Sequence, residues 1–142
     1  MFTKFVGANG TQTCGSRRST WKEESVHVQC LADAVDGKLK VRVYTNLGSA
    51  ADDESFGIDN VVVTKLVTSV KSDFSNKNDF EDWSCGAITS CGKYGNVCGG
   101  YKTKGKGDEI GRTFRVATGT YSVSLDFIKI DSWLVLRVKS QV

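Results

Sequence analysis

The residues of this chain equipped for chemistry are five cysteines, one histidine, several carboxylate clusters and one glycine–lysine loop. The cysteines stand at Cys14, Cys30, Cys85, Cys91 and Cys98. None belongs to a C-x-x-C pair, which argues against a zinc ribbon or a thioredoxin-like redox motif. Their spacing suits disulfides in an oxidising compartment. Cys85, Cys91 and Cys98 crowd into one glycine-rich segment, so at least one local bridge is expected there, with Cys14–Cys30 as a second. Five is odd, so at least one thiol is left over or pairs with another chain. Asn9-Gly10-Thr11 is an N-glycosylation sequon, and with the cysteines it points outside the cell.

Catalytic readings find little support. Ser-His-Asp or Cys-His chemistry would have to run through His27, which sits between Val26 and Val28 in an alternating, strand-like stretch. Asp79, Glu81 and Asp82, or Asp52, Asp53 and Glu54, could supply paired glycosidase carboxylates, but they read equally as solvated loop charges. The run from Gly100 to Gly107 nearly spells a phosphate loop. Gly107 takes the place of the hydroxyl residue that would hold magnesium, and Ile110, Arg112 and Phe114 continue with strand rather than helix periodicity. A basic hairpin loop carrying Lys102, Lys104 and Lys106 is expected instead. Asp52, Asp53, Glu54 and Asp59 form an oxygen-rich candidate for calcium, without EF-hand spacing. Trp21, Trp83 and Trp133 could form a sugar-stacking platform, although aromatics more often fill a sandwich core.

The elements that position these residues read as strands. Leu39, Val41 and Val43 alternate with Lys38, Lys40, Arg42 and Tyr44. Tyr121, Val123, Leu125 and Phe127 alternate with Ser122, Ser124 and Asp126, and Leu134, Leu136 and Val138 repeat the pattern. Residues 58–70 are apolar enough for a central strand buried on both faces. Residues 19–35 offer a capping box in Thr20 and Glu23, but their β-branched centre favours a strand. Turn chemistry at Asp36-Gly37, Gly92 to Gly100 and Thr118-Gly119 divides the strands. The expected fold is all-β, a two-sheet sandwich of jelly-roll type. A polar connector at residues 71–82 joins a half at 1–70 to a half at 83–142. Neither half has enough strands to stand alone, so residues 1–142 are one domain.

The length of 142 residues allows a real core. A formal charge of +3 is too mild for a nucleic-acid binder, and no apolar run reaches the ~18–20 residues of a membrane span.

Two stretches carry a family resemblance. The run from Asp53 to Val63, centred on Phe56-Gly57-Ile58-Asp59-Asn60, resembles the closing strand of secreted jelly-roll modules. Cys98-Gly99-Gly100-Tyr101, Gly105-Lys106-Gly107, Arg112-Thr113-Phe114 and the run from Asp126 to Trp133 resemble their opening half. These modules belong to repeat-containing extracellular proteins abundant in ciliates, and the resemblance implies no catalytic residues. The order is reversed: the half that opens the family's module comes second here. A circular permutant, a window across two consecutive modules, and a protomer completed by its neighbour each account for that order. In the last case the sandwich closes between neighbouring protomers, residues 71–82 act as hinge, and the basic and acidic loops meet across the junction. The functional expectation is a non-enzymatic extracellular structural repeat that assembles head to tail into a filament of identical subunits. The alternative is a carbohydrate-binding module that takes glycans on its Trp, Tyr and Asp-rich loop.

Overall fold

A computed structural model of the chain describes residues 13–15, 23–65, 68–75, 81–131 and 139–140. In chain order the strands are β1 (Glu24–Ala34), β2 (Lys38–Tyr44), β3 (Glu54–Lys65), β4 (Thr68–Ser72), β5 (Ile88–Ser90), β6 (Asn96–Gly99), β7 (Glu109–Arg115), β8 (Gly119–Asp131) and β9 (Lys139–Ser140), with a short 3-10 turn at Gly92–Tyr94. They form two antiparallel sheets. The larger has the order β1-β8-β3-β6-β5, with β4 also paired to β3. The smaller has the order β7-β2-β9. The protein is an all-β sandwich.

The long strand β8 organises the larger sheet. Its period-two pattern sends Tyr121, Val123, Leu125 and Phe127 to one face, where they are buried. That face packs against Leu39, Val41 and Val43 of β2 and Ile110 and Phe114 of β7. Phe56, Ile58, Val61 and Val63 of β3 complete the core. Phe56 stacks on Phe127 with ring centroids 5.7 Å apart. Truncating an aromatic buried this completely costs about 3–5 kcal/mol, because the transfer energy is lost and a cavity remains.

Past Asp126 the alternation on β8 stops. Ile128 and Ile130 are also buried, now on the opposite face, under a second apolar cluster formed with Cys91 and Val97. That end of the sheet is therefore covered on both sides. Cys14, Tyr94 and Tyr101 pack against this second cluster.

The β1–β2 connection is a two-residue turn. Asp36 (φ 51°) and Gly37 (φ 72°) both take left-handed backbone, and Val35 and Lys38 exchange main-chain hydrogen bonds at 3.1 and 3.0 Å. Such a turn matches the natural strand twist and requires residues tolerant of positive φ. It carries the chain from the larger sheet into the smaller one.

Three expectations are corrected. Residues 58–70 do not form one central strand: β3 ends at Lys65 and β4 returns along it, pairing Val61 with Ser72 and Lys65 with Thr68. The pairing of β3 with β6 covers only Gly57 and Ile58, so the return leg supplies partners to main-chain groups further along β3. The connector is not merely polar, because Phe74 is buried edge-on against Trp83, with centroids 5.9 Å apart. Most consequentially, the two halves pair with each other inside one chain: β1 and β3 with β8, β2 with β7, and β3 with β6. Among the described residues both sheets are built from strands of one chain. The strand expected around Leu134, Leu136 and Val138 lies outside the described residues.

Candidate assembly surface

The cysteines form two bridges on opposite faces of the larger sheet. Cys85–Cys98 closes a local loop with a sequence separation of 13, as the crowding of cysteines in that segment suggested. Cys14–Cys91 spans a separation of 77. The expected Cys14–Cys30 bridge is corrected for a geometric reason. Cys30 stands opposite Val123 on β8, so it faces the sandwich core and packs against it. Cys14 lies over Ile128 and Ile130 on the other face. The sheet separates the two thiols. Which face each cysteine occupies follows from strand phase, and the phase of a partner strand is not legible from cysteine spacing.

The basic and acidic loops do meet, within one chain. Lys102 donates its main-chain N–H to the Ala51 carbonyl at 2.9 Å, Lys106 to the Ser49 carbonyl at 3.1 Å, and Phe56 to the Lys104 carbonyl at 3.0 Å. Gly105 permits this approach, since a Cβ there would sit 2.6 Å from the Ala51 nitrogen. Main-chain hydrogen bonds make the contact, so the loop of Lys102, Lys104 and Lys106 lies along the acidic loop of its own chain, with the Lys102 and Lys106 side chains exposed. The segment is not a hairpin loop either, because it carries the chain from β6 in one sheet to β7 in the other.

The four calcium candidates are not brought together. Glu54 accepts N–H groups from Gly48 and Ser49 at 2.9 and 2.8 Å, which fixes the loop that precedes β3. Asp52 and Asp53 are exposed. Asp59 stands five residues further along β3, ~17 Å for an extended strand, and faces Asp126. Among the described residues no three acidic, cysteine or histidine side chains converge on a common point for a metal. Asn9, Trp21 and Trp133 lie outside the described residues. Trp83 is 4% exposed and edge-on to both Phe74 and Phe114, so its ring is a core element and offers no stacking face.

Sequence reasoning passed over a polar row across the outer face of the larger sheet. His27, Asp126 and Asp59 are neighbours on β1, β8 and β3. Asp126 bonds His27 Nδ1 at 2.8 Å through one oxygen and accepts from Asn60 Nδ2 at 2.8 Å through the other. A bulge after Asp59, with Asn60 at φ 47°, turns the amide toward Asp126. Burial pushes the Asp59 carboxyl up to about 6. The Asn60 N–H opposes that rise, while the charges of Asp126 and Asp73 add to it. The Phe-Gly-Ile-Asp-Asn run was the visible signal, since an acid and an amide inside an apolar strand must find polar partners.

The surface most open to another molecule is the rim at β1. This strand has eleven residues and pairs with β8 on one side; among the described residues no strand pairs with its other side. Long open edges are normally blunted by Lys, Pro or a bulge. Between Glu24 and Ala34 there is no Lys, Arg, Pro or Gly. Leu31, 75% exposed, projects from this strand, and Val35, 63% exposed, follows its end. The opposite rim of the same sheet is formed by β4 and β5. No family model, curated protein or solved structure matches this chain. Among the described residues no helix is long and apolar enough to cross a membrane.

Proposed function

We propose that this protein is an extracellular structural subunit, without catalytic activity, that assembles head to tail into a filament through the edges of its larger sheet. The observation that carries this reading is the β1 rim, with which no second strand pairs among the described residues, and Leu31 exposed upon it. Strand addition at such an edge supplies a row of main-chain hydrogen bonds together with apolar burial. Pairing β1 of one protomer with the β4 and β5 rim of the next joins two different surfaces, and a heterologous contact that does not close on itself propagates as a fibre. The rims are also unlike in charge: β1 carries Glu24 and Asp33, and β4 carries Lys71. Two disulfides brace each subunit and fit an oxidising, extracellular setting. The resemblance to secreted jelly-roll repeats agrees with this role. The reversed order of the halves then reads as a permuted module that closes within its own chain.

The test is electron microscopy and sedimentation of the native chain beside L31K. The native chain should form regular fibres. L31K should lose them while melting within about 2 °C of the native chain, because an exposed substitution of this kind changes stability by about 0.5 kcal/mol or less. A native chain that stays monomeric at every concentration, or L31K fibres equal to native ones, overturns the reading.

A further inference from the structure

A polar groove runs along the β7 side of the smaller sheet, where Lys40, Arg42, Glu109 and Thr113 stand on the outer face and Arg112, opposite Val41, comes from the core-facing phase of the strand. Its first hollow, about 540 Å³, is lined by Lys40, Arg42, Glu109, Gly111, Arg112 and Thr113 from β2 and β7 and by residues 81–84 alongside. Gly111 leaves the floor open opposite Arg42. The bank at residues 81–84 is fastened to β7: Ser84 donates its N–H to the Gly111 carbonyl at 3.0 Å, and the Gly111 N–H returns to Ser84 Oγ at 2.8 Å. A second hollow, about 410 Å³, shares Arg42 and Glu109 and continues to Tyr44, Thr45 and Asp108. Both volumes fall in the ~300–1,000 Å³ range of ligand sites.

We propose that this groove binds a neutral oligosaccharide, roughly two or three sugar units long, the length set by the ~13 Å from the Lys40–Thr113 pair to the Tyr44–Glu109 pair. Charge balance selects the ligand class. The first hollow carries three cations, Lys40, Arg42 and Arg112, and three carboxylates, Glu81, Asp82 and Glu109, and Asp108 adds a fourth carboxylate in the second. Both guanidinium groups already hold carboxylates: Arg42 Nε reaches Glu109 at 3.0 Å, and Arg112 Nη2 reaches Asp82 at 2.8 Å. An anion would have to break these pairs. A hydroxyl can accept from a guanidinium and donate to a carboxylate without displacing either. The pairs also hold the side chains in place before a ligand arrives, which lowers the ordering cost of binding. Arg112 is set further by its position over the Phe114 ring, 4.6 Å from the centroid. Among the described residues its buried Nε–H meets no acceptor. Trp83 lies beneath this site with its ring in the core, so recognition here runs through hydrogen bonds rather than aromatic stacking.

The experiment is an NMR titration of the full chain with cellotriose, chitotriose and maltotriose in turn, with trigalacturonate and inorganic phosphate as anionic probes. At least one neutral trisaccharide should give saturable shifts at the Gly111 amide and the Arg42 and Arg112 side-chain N–H signals. R112K, which keeps the charge but loses the fork, should weaken that binding at least about tenfold, as expected for a charge-assisted hydrogen bond. T113W, at an exposed position on the groove wall, should block it while the β8 amides keep their native positions. The proposal is overturned if no neutral trisaccharide shifts the groove signals, if only the anionic probes do so, or if binding survives both substitutions in a natively folded chain.

Discussion

Replacing Asp59 with asparagine should stabilise this protein at neutral pH and leave it unchanged in acid. Asp59 is 7% exposed, and its carboxyl is pushed up to about 6, first by burial and then by the charges of Asp126 and Asp73. In the unfolded chain it returns to its ordinary value of 3.8. Below about pH 3.8 both states hold the proton and Asp59 contributes nothing. Between there and about pH 6 the unfolded chain has released a proton that the folded chain still binds, so stability falls as pH rises. Above about pH 6 the folded chain bears the full cost of a buried charge. At 1.36 kcal/mol for each tenfold change in proton affinity, that cost is roughly 3 kcal/mol. The amide introduced by D59N would keep the Oδ1 acceptor for the Asn60 N–H, which Asp59 binds at 2.7 Å, and would never ionise. D59N should therefore raise stability by about 2–3 kcal/mol at about pH 7.5, a melting shift near 5–10 °C for a chain of this size. At about pH 3.5 the difference should vanish. Urea unfolding of both proteins across this range provides the measurement. An equal effect at every pH, or a loss of stability near neutrality, would refute the linkage argument.

The disulfides should differ in worth according to the loops they close. In the chain-entropy model C14A/C91A should cost about 4–5 kcal/mol and C85A/C98A about 3 kcal/mol plus lost core contacts, and non-reducing peptide mapping should recover the Cys14–Cys91 and Cys85–Cys98 pairs. A Cys14–Cys30 peptide would contradict the separation of those thiols by the sheet. Chelators should leave the melting temperature unchanged within about 1 °C, because the Glu54 carboxylate is engaged by main-chain amides and Asp59 lies far along the strand. A drop of about 5–10 °C would restore calcium to the Asp52 loop, since a ligand at a hundred times its Kd contributes about 2.7 kcal/mol.

By itself the sequence determined the class of structure and much of its core. Alternation along Leu39-Val41-Val43 and Tyr121-Val123-Leu125-Phe127 is a local property of the chain, because side chains on a strand point to opposite faces whatever the strand pairs with. Asp36-Gly37 declared its turn for the same local reason, a need for positive φ. Trp83 and the bridge in the glycine-rich segment were likewise legible, one from the habits of aromatics and the other from proximity in the chain. Tertiary structure alone decided which strands are neighbours and which face of each meets the core. It placed Cys30 and Cys14 on opposite sides of one sheet. It also folded residues 58–70 into a hairpin, joined the lysine loop to the acidic loop of the same chain, and drew Asp59, Asp126 and His27 into one row. Long-range pairing depends on the summed burial of whole faces, and no single segment carries that information. The same ~3.3 Å step and period of two serve a strand that pairs inside its own chain and one that pairs with a neighbour.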